Sequence, residues 1–149
     1  MKLAKIYNEV IKARLKDEKL FMGYYDEETV GISTDGYVMY FIPKNTFLLD
    51  VEKMLGNREM SNLENFQASI NLPEVQKSNE YRKVERQKKE ISCVKIGNKY
   101  VNEKFLKNFD NPTFKTQMNR DASPIYIYEQ EIIVGLVMPI IFKEGEYEG

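Results

Sequence analysis

Histidine and tryptophan are missing from this 149-residue chain, and cysteine occurs once. Without histidine there is no Ser-His-Asp or Cys-His catalysis, none of the usual zinc sites, and no access to the commonest general base. The single cysteine, Cys93, forms no internal disulfide. It lies in the apolar run ISCVKI and reads as a small buried side chain rather than a reactive thiol. A small domain without covalent staples points to a reducing, cytoplasmic setting. Long apolar runs are lacking too. The longest, Ile132 to Phe142, falls short of the about 20 residues needed to cross a bilayer, and the lysine-bearing start has no run of signal-peptide length. No membrane partner is expected.

Charge of one sign is also in short supply. Lys plus Arg number 22 and Asp plus Glu 23, for a net charge of −1. A surface that coats nucleic acid throughout would be far more basic, so any such role needs a local basic face. There is no glycine-rich phosphate loop and no nucleophile elbow, and neither an enzyme activity nor a cofactor is expected. An enzyme would have to assemble Asp, Glu, Lys or Tyr groups by folding. The one acidic cluster, Asp26-Glu27-Glu28 with Asp35, reads as a solvated turn, because its spacing matches no calcium loop.

What is present is an ordinary globular composition, 42% apolar and 30% charged, enough for one domain spanning 1–149 with its own core. The lean towards Lys, Asn, Ile, Glu and Tyr fits an AT-rich genome, such as that of a low-GC bacterium or its mobile elements.

Residues 2–15 predict a helix with Leu3, Ile6, Tyr7, Val10, Ile11 and Leu15 on one apolar stripe. Lys5, Lys12 and Lys16 cluster on the opposite face, with Glu9 among them. They form either a solvated helix back or a phosphate-facing stripe. Strands follow at 19–25, 29–33 and 37–42, the last two joined through Asp35-Gly36, a hairpin signal. Both faces of 37–42 are apolar, which places that strand well inside a sheet. A helix over 46–55 is predicted, capped by Asn45 or Thr46 and stopped by Gly56.

Residues 57–90 read as a charged insertion. Ser61 and Glu64 make a candidate capping box, and 77–90 (KSNEYRKVERQKKE) reads as a solvated helix or mobile segment. The alternative is a nucleic-acid contact through Arg82, Lys83, Arg86, Lys88 and Lys89, against which Glu80, Glu85 and Glu90 argue. A strand at 91–96, a turn at Gly97-Asn98 and a helix at 103–110 capped by Asn102 come next. That helix buries Phe105, Leu106 and Phe109. A half-buried strand over Phe114, Thr116 and Met118 precedes strands at 125–129 and 131–138, joined by a tight Gln130-Glu131 turn.

The order helix, strand, strand, strand thus occurs twice, in 2–42 and in 102–138. Two such units can pair their sheets edge to edge, giving an α+β domain with both helices on one face of antiparallel sheet.

Over about 99–141 the chain resembles the last half-domain of the bacterial DNA polymerase III β subunit, the sliding clamp. The resemblance rests on Asn102 opening a helix, the Phe105-Leu106 pair, three strands over 113–138, and the ending Leu136-Val137-Met138-Pro139. Ile140 and Ile141 stand where that family has a Met and an Arg. The resemblance implies a non-enzymatic clamp-like accessory protein, of a phage or mobile element, that binds duplex DNA, replication proteins or both. It implies DNA-facing lysines at Lys5, Lys12, Lys16, Lys104 and Lys107, and a peptide pocket at Leu136, Val137, Met138 and Pro139. A clamp ring has six such domains, so ring closure here implies a homo-oligomer. The alternative is a stand-alone protein-interaction domain with no nucleic-acid role.

Overall fold

The computed structural model describes residues 1–69 and 71–143, which form mixed helix and sheet with strands predominating. Helix α1 (Leu3–Leu15) buries Ile6, Tyr7, Val10 and Ala13. Fully burying one such aliphatic side chain is worth roughly 1.5–3 kcal/mol, so this stripe anchors the helix to the sheet. Leu15, expected on the same stripe, is 80% exposed because the helix ends there and Asp17 turns left-handed at φ 56°. At the other end the Met1 ammonium lies 2.8 Å from Asp110 and 2.7 Å from Glu129.

Strands β1 (Phe21–Asp26), β2 (Thr29–Ser33) and β3 (Val38–Pro43) form a meander close to the sequence expectation. A 3-10 turn (Lys44–Thr46) and a short α2 (Val51–Leu55) follow. The expected 46–55 helix is therefore confined to its second half. Asp50, not Asn45 or Thr46, caps it by accepting from the Lys53 amide at 3.1 Å, and Gly56 ends it as expected. The Arg14 guanidinium donates to the Lys53 carbonyl and so holds α2 against α1.

The described residues of 57–69 form a strap across the second face of the sheet rather than a helix behind Ser61. It contains the 3-10 turn Glu64–Phe66. The Glu64 amide is accepted by Asn62, and Ser61 instead donates its backbone amide to the Met22 carbonyl at 2.8 Å. Leu63, only 2% exposed, is the strap's anchor among Tyr25, Met39, Phe41, Tyr126 and Leu136. It fits because Gly31 lies beneath it: a Cβ there would stand 2.6 Å from Leu63 Cδ1.

The two-residue β4 (Glu74–Val75) leads into β5 (Lys77–Arg86), β6 (Lys89–Ile96) and β7 (Lys99–Asn102). Residues 77–90, expected as a solvated helix or mobile segment, are instead a hairpin arm. Gln87 and Lys88 supply its turn at φ 53° and 62°. The expected helix at 103–110 is likewise corrected, to a 3-10 turn over Glu103–Leu106. Asn102 does cap it, accepting from the Lys104 amide at 3.2 Å, but Asn111-Pro112 leaves little room for a longer helix. Strands β8 (Thr113–Thr116), β9 (Ile125–Glu129) and β10 (Ile132–Val137) close the fold, the last two across the expected Gln130-Glu131 turn.

The large sheet has the order β1-β2-β3-β10-β9-β8-β4 and the small one β5-β6-β7. The two meanders meet where β3 runs antiparallel to β10, in the register Met39 to Leu136 and Val38 to Val137. Gly135 sits at this joint, where a Cβ would come within 2.5 Å of the Met39 carbonyl and 2.9 Å of the Phe109 ring. The main core lies on the α1 face and also takes Val94, Ile96 and Val101 of the small sheet. The small sheet's outer face buries Val84, Cys93 and Phe142, and Ile140 bridges to Tyr100 of β7.

Candidate functional site: an apolar cleft and a basic groove

β10 alternates, and its parity decides which of its last residues face a ligand. Val137 is fully buried in the main core, whereas Leu136 and Met138 turn to the strap face. Met138 leaves the ladder but stays tied to it, its amide donating to the Tyr37 carbonyl at 2.8 Å. Between this end of β10 and the strap lies a cleft of about 250 Å3. Leu136, Met138, Met39, Leu63, Phe66 and Phe21 make its apolar walls, with Ser33, Ser61 and Asn62 among its polar residues. Of the four positions expected in a peptide pocket, Leu136 and Met138 line this cleft. Val137 and Pro139 do not.

The five lysines expected to face DNA are divided. Lys5, Lys12 and Lys16 are exposed on the back of α1. Lys107 reaches α1 from the 3-10 turn, and its Nζ lies 3.3 Å from Glu9, so an acid sits within the stripe. Lys104 lies 5.4 Å above the Phe105 ring. With the second helix replaced by a 3-10 turn, there is no matching pair of lysine-bearing helices.

Lys104 and Lys107 instead line a broad groove of about 1100 Å3 between that turn and the β5–β6 hairpin. Two of the five basic residues singled out in 77–90, Arg86 and Lys89, line it as well. Arg82 is turned inward, its guanidinium 5.2 Å from the Tyr100 ring and 4.8 Å from Phe142. Lys83 is paired with Glu90 at 3.2 Å. Arg82, Arg86 and Lys89 share one face of the hairpin and Lys83 takes the other, a parity invisible when 77–90 is read as a helix.

The acids of the β1–β2 and β2–β3 connections serve their own turns. Asp26 accepts from the Glu28 amide at 2.8 Å, and Asp35 accepts from Tyr37 and Val38 at 2.7 and 3.1 Å. Among the described residues no group of three Cys, Asp or Glu side chains converges to hold a metal ion.

Two buried polar centres escaped the sequence reading. Lys99, 4% exposed, donates to Thr116 Oγ1 at 2.6 Å, Ser123 Oγ at 2.7 Å and the Gln117 carbonyl at 2.9 Å. Burial pulls its pKa below that of an ordinary lysine, against the upward pull of Asp121. Its signal in the sequence was parity alone, since it shares a face of β7 with the buried Val101. Asn108, fully buried, donates from Nδ2 to Tyr40 Oη at 3.0 Å and to Glu9 at 3.2 Å. Burial pushes the Tyr40 hydroxyl up to about 12, and the same cause takes Tyr126 to about 12.

No protein-family model, curated protein or solved structure matches the chain. Among the described residues no helix is long and apolar enough to cross a membrane.

Proposed function

We propose that this protein is a non-catalytic, clamp-like accessory module of a replication apparatus, and that its central act is to hold a short apolar peptide of a protein partner. The observation that carries this reading is the cleft beside Leu136 and Met138. Its volume of about 250 Å3 lies below the roughly 300–1,000 Å3 of small-molecule sites, a size suited to a few anchoring side chains. Its walls are methionine, leucine and phenylalanine, with polar groups able to fix a peptide backbone. Lys5, Lys12 and Lys16 add a cationic stripe that can meet duplex phosphates without reading sequence. Ring closure by a homo-oligomer belongs to the same reading.

The test is fluorescence anisotropy with labelled short peptides derived from replicative polymerases. Met138→Lys should weaken capture at least tenfold while leaving the fold intact, because Met138 is only half-buried. Equal binding by Met138→Lys, or no binding of any such peptide, overturns the cleft as the docking site. Particle mass with and without duplex DNA tests assembly, and a low-salt gel shift tests the stripe.

A second reading, an interaction domain with no nucleic-acid role, is favoured by the pairing of Lys107 with Glu9, which occupies one of the five lysines expected to face DNA. It predicts peptide capture with no gel shift at any salt concentration.

A further inference from the structure

We infer that the groove between the β5–β6 hairpin and the 103–107 turn is a binding site for single-stranded nucleic acid. Six cationic side chains line it (Lys77, Arg86, Lys89, Lys104, Lys107 and Lys143) against three carboxylates, Asp35, Glu90 and Glu103. Two of those carboxylates are engaged elsewhere. Asp35 is held by the Tyr37 and Val38 amides, and Glu90 by Lys83. Among the described residues no carboxylate comes within ion-pair distance of Lys77, Lys89 or Lys104. Lys107 is paired with Glu9, so the positive charge of the concavity that no described carboxylate offsets rests on Lys77, Lys89 and Lys104.

The second observation is aromatic. Tyr37, 59% exposed, lines the groove and lies nearly parallel to Phe105, with ring centroids 6.0 Å apart at 12°. Lys104 Nζ lies 5.4 Å from the centre of the Phe105 ring, so cation and rings occupy one patch. An exposed ring backed by a second ring is a rigid platform for a flat group, and phosphate-binding lysines beside it suit a sugar-phosphate backbone. The combination discriminates between nucleic-acid forms. Bases in a duplex are stacked on one another and cannot reach a protein ring, whereas a single strand can splay one out. Lys5, Lys12 and Lys16 do not line this groove, so it is separate from the helix stripe. It does not rest on the peptide cleft either, although Tyr37 and Met138 border both.

The experiment measures anisotropy of a labelled oligothymidylate of about 12 nucleotides against the full chain across a salt series. Binding should exceed that of a duplex of equal length, and log K should fall against log salt with a slope of about −2, as for three phosphate contacts. Tyr37→Ala should weaken single-strand binding about tenfold without changing the salt slope, as expected for a lost stacking partner. The double variant Lys89→Glu with Lys104→Glu should abolish binding while sparing the apolar-peptide capture described above, since neither lysine lines the cleft. Circular dichroism checks that both variants are folded. Absence of binding at low salt overturns the inference. So does a Tyr37-independent affinity matched by duplex or heparin, which would make the groove a general polyanion surface. Loss of peptide capture with oligothymidylate binding retained would instead remove the cleft and leave the groove.

Discussion

Lys99 is a cation held by oxygens that carry no formal charge, and its place in the fold follows from where those oxygens come from. Thr116 ends β8, while Gln117 and Ser123 belong to the loop that returns the chain to β9. Lys99→Met should keep the apolar stem and lose the tie. Removing hydrogen bonds from a charged donor while leaving buried acceptors behind costs about 1–3 kcal/mol, seen as a lower denaturant midpoint, with faster amide exchange over 117–124. Tyr40 and Tyr126 give a second test at this scale. Both hold their protons to about 12, against an ordinary value of 10.0. The native state therefore binds more protons than the unfolded chain between these values. Stability should be unaffected by these groups below pH 10, then fall as pH rises towards 12. Tyrosinate absorbance followed alongside the unfolding midpoint should show the last-titrating tyrosines ionising as the fold is lost.

At the scale of elements, the β5–β6 hairpin shows what makes a strand legible. β1–β3 and β9–β10 could be read because apolar side chains alternate in them or fill both faces. β5 buries only Val84, and the face it shares with Val84 carries half-buried Ser78, Arg82 and Arg86, so its period is hidden by polar residues. Arg82 passes for a surface charge in sequence but works as an inward-facing side chain, resting on Tyr100 and Phe142. The turn concealed itself as well. Gln87-Lys88 occupies left-handed geometry that Asn-Gly normally announces. The same geometry yields a prediction. Gln87→Asn with Lys88→Gly should stabilise the protein by about 1 kcal/mol, read as a raised melting temperature, because both replacements relieve left-handed strain. The expected helix at 103–110 was misread for the opposite reason. Phe105, Leu106 and Phe109 do have helical spacing, but Asn102 and Pro112 bracket too few residues for stable α-helix. The cleft was half legible: the Leu136 to Pro139 ending drew notice, but the strap wall opposite, Leu63 and Phe66, is distant in sequence. The basic groove was less so, since its sides come from two elements both expected as helices.

At the scale of the whole molecule, the join between β3 and β10 unites the two ends of the chain. Gly135 is the point where it has least tolerance. Gly135→Ala should push the added methyl against both the Met39 carbonyl and the Phe109 ring, costing about 1–3 kcal/mol in chemical denaturation. The sheet order also governs how the protein can be made. β3 is synthesised well before its neighbour on one side, β10, which lies about 95 residues later in the chain. Until Ile132–Val137 leaves the ribosome, the N-terminal meander has an unfilled edge of almost wholly apolar residues. Completion of the sheet is thus a late, long-range event, and a chain halted before residue 132 is left sticky rather than merely shorter.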